Sequence, residues 1–281
     1  MSLNTKPLKI TPLIILHYWV VITIVIGMGF PLIWMVYSSL KTNREISRSI
    51  LSLPKAFRWQ HFIEAWVEGN LGRLYINSLV VTGLSVLIII VFSSLAAYAF
   101  ARLKFRGRDT LFSVFLIGLL LPSQAVIIPL FVLLRDLHLL NTWWSLILPY
   151  SSWSLALTIY LLKSFYLTLP QELEDAAYID GASLFQVFYY VMLPLIRPAL
   201  VTMIILNLVG LWNELLFSLL FIRDDALRTL PSGLLTFYGY HNVDYRLVFS
   251  ALSISTIPIL IVYFFFQKQV IAGLTVGSIE R

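Results

Sequence analysis

Long apolar runs separated by short polar breaks dominate this chain. Six stretches reach the roughly 20 mostly apolar residues that a helix needs to cross a bilayer; they lie near 13–38, 78–101, 110–134, 142–162, 198–222 and 247–267. The pattern changes between Thr168 and Pro198. There Thr168 and Gln171 have the spacing of a capping box, with Pro170 tolerated in the first turn. Glu172, Glu174 and Asp175 follow, acidic residues that suit the positive end of a helix dipole. Leu169, Leu173, Ala176 and Ala177 share one face at three- and four-residue spacing. Gly181 supplies a stop, and Ser183 with Gln186 repeats the capping spacing ahead of Leu184, Phe185, Val187, Phe188 and Val191. Pro194 and Pro198 then interrupt the chain before the next span. The pattern predicts an all-α integral membrane protein, one transmembrane domain over 1–281. It has six transmembrane helices and a helix-turn-helix in the loop 163–197 between the fourth and fifth.

Composition agrees with this reading. Of 281 residues, 59% are hydrophobic and 12% charged, more apolar surface than a soluble domain can bury. The net charge of +6 comes from basic residues in loops beside spans, which points to topology and lipid headgroups rather than to nucleic acid. Cysteine is absent, so disulfides and thiolate metal sites are excluded. Lys6 and Lys9 precede the first apolar run, which is too long for a cleaved leader and is expected to remain as a span. With both termini inside, the lysines and arginines divide ten and ten, a tie set by the long segment 39–74. The densest cluster, Arg102, Lys104, Arg106 and Arg108, sits in a short loop and decides the orientation. It belongs in the cytoplasm, together with both termini and the 163–197 loop. Phe62 and Trp66, with Phe57 and Trp59 upstream, predict an interfacial helix in the external segment 41–77.

Several motifs resemble one family. Asp175-Ala176-Ala177, Gly181, Val191, Leu193 and Pro194 match the spacing of the EAA loop in permease subunits of binding-protein-dependent ATP-binding cassette importers. Asp175 stands where that family has Glu, and Val191 where it has Ile. The stretches from Asn77, Ala96 and Leu120 and the tail from Gln267 also resemble this family, and Trp212-Asn213-Glu214, Pro231 to Leu234 and Asp244-Tyr245 resemble its carbohydrate-uptake branch. The tail ends differently, in Ile279-Glu280-Arg281. The resemblance implies a coupling surface for a cytoplasmic ATPase dimer at Glu174, Asp175, Ala176, Ala177, Asp180, Gly181, Ala182, Leu193 and Pro194. It also implies a second homologous permease subunit, an extracytoplasmic solute-binding protein, and location in a bacterial or archaeal cytoplasmic membrane. ATP and Mg would be held by the partner ATPase, and no cofactor by this chain.

Polar residues inside spans are the remaining candidates. Pro122 and Pro129 are expected to kink or break the third span, with Ser123 and Gln124 inside the broken region. Asn213 and Glu214 fall in mid-span, where a carboxylate costs on the order of 2.5–3.5 kcal/mol to insert and usually faces the bundle interior or water. Gln124, Trp212, Asn213 and Glu214 are therefore the substrate-path candidates. An equal reading makes them buried links between helices. A different mechanism, an ion- or proton-coupled carrier that titrates Glu214, leaves the loop motif unexplained. No phosphate-binding glycine loop occurs, so ATP hydrolysis is expected in a separate chain. His17, His61, His138 and His241 show no metal-ligand spacing.

Overall fold

The computed structural model describes residues 12–238 and 243–276. Lys6, Lys9, His241 and the chain's end at Gly277, Ile279, Glu280 and Arg281 lie outside the described residues. The fold is 79% helical, and among the described residues it has no strands apart from one antiparallel bridge between Tyr238 and Val243. Four described helices are long and apolar enough to cross a membrane, at Leu16–Ser39, Leu71–Arg102, Trp144–Thr168 and Tyr245–Gln267. Two bent helix pairs raise the number to as many as six.

Two compact units divide the chain, residues 1–69 with 236–255 and residues 70–235 with 256–281. The first contains α1 (Pro12–Ser39), α2 (Asn43–Arg48), α3 (Gln60–Glu68) and the beginning of a long terminal helix. Buried Lys41 and Trp34 both donate to the Ile50 carbonyl, at 3.0 Å each, and pin the chain leaving α2 back onto the end of α1. Burial pushes the Lys41 ammonium below its usual range. A capping box starts α2, with the Thr42 N–H donating to Glu45 at 2.8 Å and Arg58 pairing with the same carboxylate at 3.0 Å. The Glu45 carboxyl is held below its ordinary value chiefly by that backbone hydrogen bond. In α3, His61 is buried with Nδ1 2.8 Å from the Ser39 carbonyl, while Ile63, Trp66 and Val67 are exposed. This gives α3 the two-faced form of a helix at a headgroup layer.

The second unit is built on α4 (Leu71–Arg102) and α7 (Trp144–Thr168), its most extensively packed pair. Both bury small residues, Ser78, Ser85 and Ser93 on α4 and Ser145, Ser151 and Ala156 on α7, which let backbones approach closely without a clash. Between them in sequence come α5 (Arg108–Gly118) and α6 (Ser123–Asp136), bent by 100°. The third predicted span, 110–134, is thus two helices. Pro122, with its extended backbone, cannot continue α5 and instead caps α6.

After α7 come α8 (Glu172–Ile179), α9 (Leu184–Gln186), a π-helical turn (Val187–Met192), α10 (Leu193–Leu195) and α11 (Arg197–Trp212). Two expectations are corrected here. Thr168 does not cap α8: it is the last residue of α7, and its hydroxyl donates to the Phe165 carbonyl at 2.8 Å. Burial of Leu162 and Tyr166 draws α7 past its expected end at 162. The fifth predicted span, 198–222, is also broken. It stops at Trp212 and resumes as the short α12 (Leu216–Phe221), so Asn213 and Glu214 occupy a break rather than mid-helix. At 1.5 Å per residue, α11 is about 24 Å long, short of the roughly 30 Å hydrocarbon core.

The chain returns through α13 (Leu230–Gly233) into α14 (Tyr245–Val276). Asn77 donates to the carbonyls of Ala226 and Arg228, and the Leu230 N–H donates to Ser78 at 2.7 Å, which fastens this return to α4. At Gly233 the backbone runs close against Leu74, whose side chain would have to shift to admit a Cβ.

Candidate functional site

Two regions gather the residues singled out above. The first is the helix-turn-helix beyond α7. Glu174 is buried, although α8 is otherwise largely exposed. Its carboxylate lies 2.8 Å from Arg102 Nε at the end of α4, and the Tyr98 hydroxyl donates to it at 3.1 Å. The same arginine donates through Nη2 to the Tyr166 and Leu169 carbonyls, at 2.7 and 2.5 Å, where α7 ends. One guanidinium therefore ties three helix ends together. It satisfies carbonyls that a helix C-terminus leaves unpaired, and it neutralises the acid that α8 buries. The Tyr98 ring meets Tyr166 edge-on and Phe188 at a tilt, with ring centroids 5.5 and 5.2 Å apart.

From this root α8 projects outward. Asp175, Ala176 and Asp180 are exposed, whereas Ala177, Ala182 and Leu193 pack against the apolar cluster around Tyr166 and Met192. The turn is made by Gly181, whose φ of +84° only glycine adopts freely. The Ala182 N–H closes back on the Ala177 carbonyl at 3.0 Å. Ser183 and Gln186 form the expected capping box, the Ser183 N–H donating to Gln186 at 2.7 Å. Beyond it the ladder widens, because exposed Pro194 has no N–H to offer and the Leu193 N–H reaches back five residues to Phe188. Four apolar side chains flank the turn in the open: Tyr178, Ile179, Leu184 and Phe185, with Ile179 85% exposed.

The second region is the break after α11. Trp212 is buried, with its ring edge-on to Tyr75 at 5.9 Å. The Asn213 amide turns back to the Val209 carbonyl at 2.8 Å and closes the end of α11. Glu214 starts the next helix: both of its oxygens accept from the Phe217 N–H, at 3.0 and 3.2 Å, and one also accepts from the Tyr150 hydroxyl. Tyr150 stacks on Phe217, and Phe217 packs on Phe221. The carboxylate thus serves as a helix cap in an aromatic surround, its charge held by hydrogen bonds from the Phe217 N–H and the Tyr150 hydroxyl. Gln124 is exposed at the α5–α6 bend. No three His, Asp or Glu side chains converge as metal ligands among the described residues.

Arg102, Tyr98, Tyr75 and Tyr150 escaped sequence reasoning as site residues. The only local signal was a basic residue ending a span, which topology alone explained. Their partners stand 64 to 137 positions away.

Comparison with known proteins follows this geometry closely. Residues 89–276 match the family described as binding-protein-dependent transport system inner membrane component. The chain is 38% identical to the probable ABC transporter permease protein YurM of Bacillus subtilis (strain 168), over 91% of this chain and 85% of that one. It is 34% identical to the diacetylchitobiose uptake system permease protein NgcG of Streptomyces coelicolor, over 94% and 86%. Its fold superposes with a TM-score of 0.81 on a chain in the crystal structure of a bacterial ABC transporter involved in the import of the acidic polysaccharide alginate. That match covers 90% of this chain and 95% of the other, at 22% identity.

Proposed function

The chain belongs to the family of binding-protein-dependent transport system inner membrane components, and on that premise we propose that it is one of two permease subunits of an ATP-driven sugar importer. An extracytoplasmic binding protein delivers the substrate. A cytoplasmic ATPase dimer, which holds ATP and Mg, docks on α8 and α9. Relatives named for diacetylchitobiose and for other oligosaccharides support a carbohydrate substrate. The polar, aromatic break at Trp212, Asn213 and Glu214 is the region where such a substrate would pass. Docking can drive transport only through a difference in contact energy between outward- and inward-open states. The buried Arg102–Glu174 pair is suited to carry that difference from α8 into α4 and α7.

The observation that carries this reading is the exposed apolar corner on either side of Gly181, in a segment otherwise rooted in the protein. Single exposed apolar residues need no explanation, but four flanking one turn suit an interface. Ile179→Asp is expected to abolish co-purification of the ATPase and ATP-dependent uptake, with the thermal midpoint of the permease unchanged. Gly181→Pro is expected to do the same by forbidding the positive φ. Undiminished ATPase recovery with both variants would overturn the assignment.

A further inference from the structure

The basic loop between α4 and α5 does more than set orientation. Lys104, Phe105, Arg106, Gly107, Arg108, Asp109 and Thr110 line an open groove of about 660 Å³, within the roughly 300–1,000 Å³ range of ligand sites. Asp109 is the one acid lining it, and it pairs with Arg108 at 3.0 Å. Among the described residues no carboxylate lies within ion-pair distance of Lys104 or Arg106, and both are exposed. Lys163 of α7 adds a further cation nearby, its ammonium 3.5 Å above the ring of Phe112.

The helix that leaves this groove is two-faced. Phe112 and Phe115 of α5 pack inward on Phe100, at centroid distances of 5.4 and 6.0 Å. Leu111, Val114 and Ile117 form a stripe on the other side, 48%, 58% and 59% exposed. An apolar stripe thus begins at an uncompensated basic groove, at the end of a membrane-spanning helix. A soluble anion or nucleic acid would use only the groove. A phospholipid presents charge and then hydrocarbon in the same order.

We propose that the Lys104–Thr110 groove binds the headgroup of an anionic phospholipid, with its acyl chains along the Leu111, Val114 and Ile117 face of α5. Lys104 and Arg106 contact the phosphate, and Arg108, partly neutralised by Asp109, flanks it. Basic pockets beside spans are suited to anionic headgroups, and their attraction falls with added salt.

The test uses the assembled transporter in nanodiscs of phosphatidylcholine containing spin-labelled phosphatidylglycerol or spin-labelled phosphatidylcholine. The wild type is expected to immobilise phosphatidylglycerol preferentially. Removing two charges, with Lys104→Gln and Arg106→Gln together, is expected to weaken that preference about 25-fold, from roughly fivefold per basic residue. Phosphatidylcholine contacts stay unchanged. Arg135→Gln, a remote exposed cation, leaves the preference intact. Val114→Asn weakens immobilisation of the chains while keeping its salt dependence. Three results would overturn the proposal. The first is an unaltered lipid preference in the double variant. The second is loss of the ATPase subunits with lipid retention unchanged, which would make the groove a protein contact. The third is displacement of the lipid by inorganic phosphate, which would make it a free-anion site.

Discussion

Replacing Glu174 by Gln tests the anchor beneath α8 directly. The substitution keeps the shape and an acceptor for Tyr98, but it leaves the Arg102 guanidinium buried without its counter-charge. Side-chain exposure is 11% for Arg102 and 7% for Glu174, so water can do little to compensate. Breaking a buried pair by removing one partner costs about 3–5 kcal/mol. The low end applies here, because Arg102 retains the Tyr166 and Leu169 carbonyls. Local opening of α8 should therefore become easier by about 3 kcal/mol, on the order of a hundredfold in its opening equilibrium. Amide hydrogen exchange of the permease in nanodiscs reads this quantity residue by residue. Exchange of the amides from Asp175 to Ala182 is expected to accelerate by up to that factor, while the interiors of α4 and α7 keep their protection. Asp175→Asn, one position along and exposed, should change exchange less than threefold. Arg102→Lys should resemble Glu174→Gln, because an ammonium cannot bond the acid and two carbonyls in the same fixed fork. A change below threefold in Glu174→Gln would refute the anchor and leave α8 held by its apolar contacts alone.

Two further outcomes follow from particular contacts. Glu214→Ala removes the cap of α12 and leaves the Tyr150 hydroxyl unpaired. The expected loss is about 1–3 kcal/mol in the purified protein's unfolding free energy; Glu214→Gln, which keeps an acceptor for Phe217, should cost less than half as much. Equal losses would refute the capping role. Glu45 gives a pH dependence whose sign is set by its depressed pKa. Its stabilisation of α2 is complete above the ordinary value of 4.5 and is lost as the pH falls through the lower folded value. Protection factors at the amides of α2, taken against the intrinsic exchange rate at each pH, should fall on acidification through that window in the wild type and stay flat in Glu45→Gln. Parallel curves would refute the assignment.

The local, periodic features of this protein were legible in the chain. Run length and near absence of charge specify spanning helices, since a bilayer demands that backbone bonds close within the segment. The turn at Gly181 and the Ser183–Gln186 box were readable because their partners lie within four residues. Tertiary packing decided the rest. The apolar surround of Leu162 and Tyr166 carried α7 over the capping signal at Thr168, since burial outweighs one side-chain cap. The break at Asn213 and Glu214 was hidden in an apolar run: Glu214 caps the Phe217 N–H locally, but the Tyr150 hydroxyl that also holds its carboxylate comes from 64 positions away in sequence. Arg102 looked like one more topological cation until folding placed Glu174 beside it. A local code records what a residue can do with its neighbours along the chain; which buried charge it meets is set by how the helices pack.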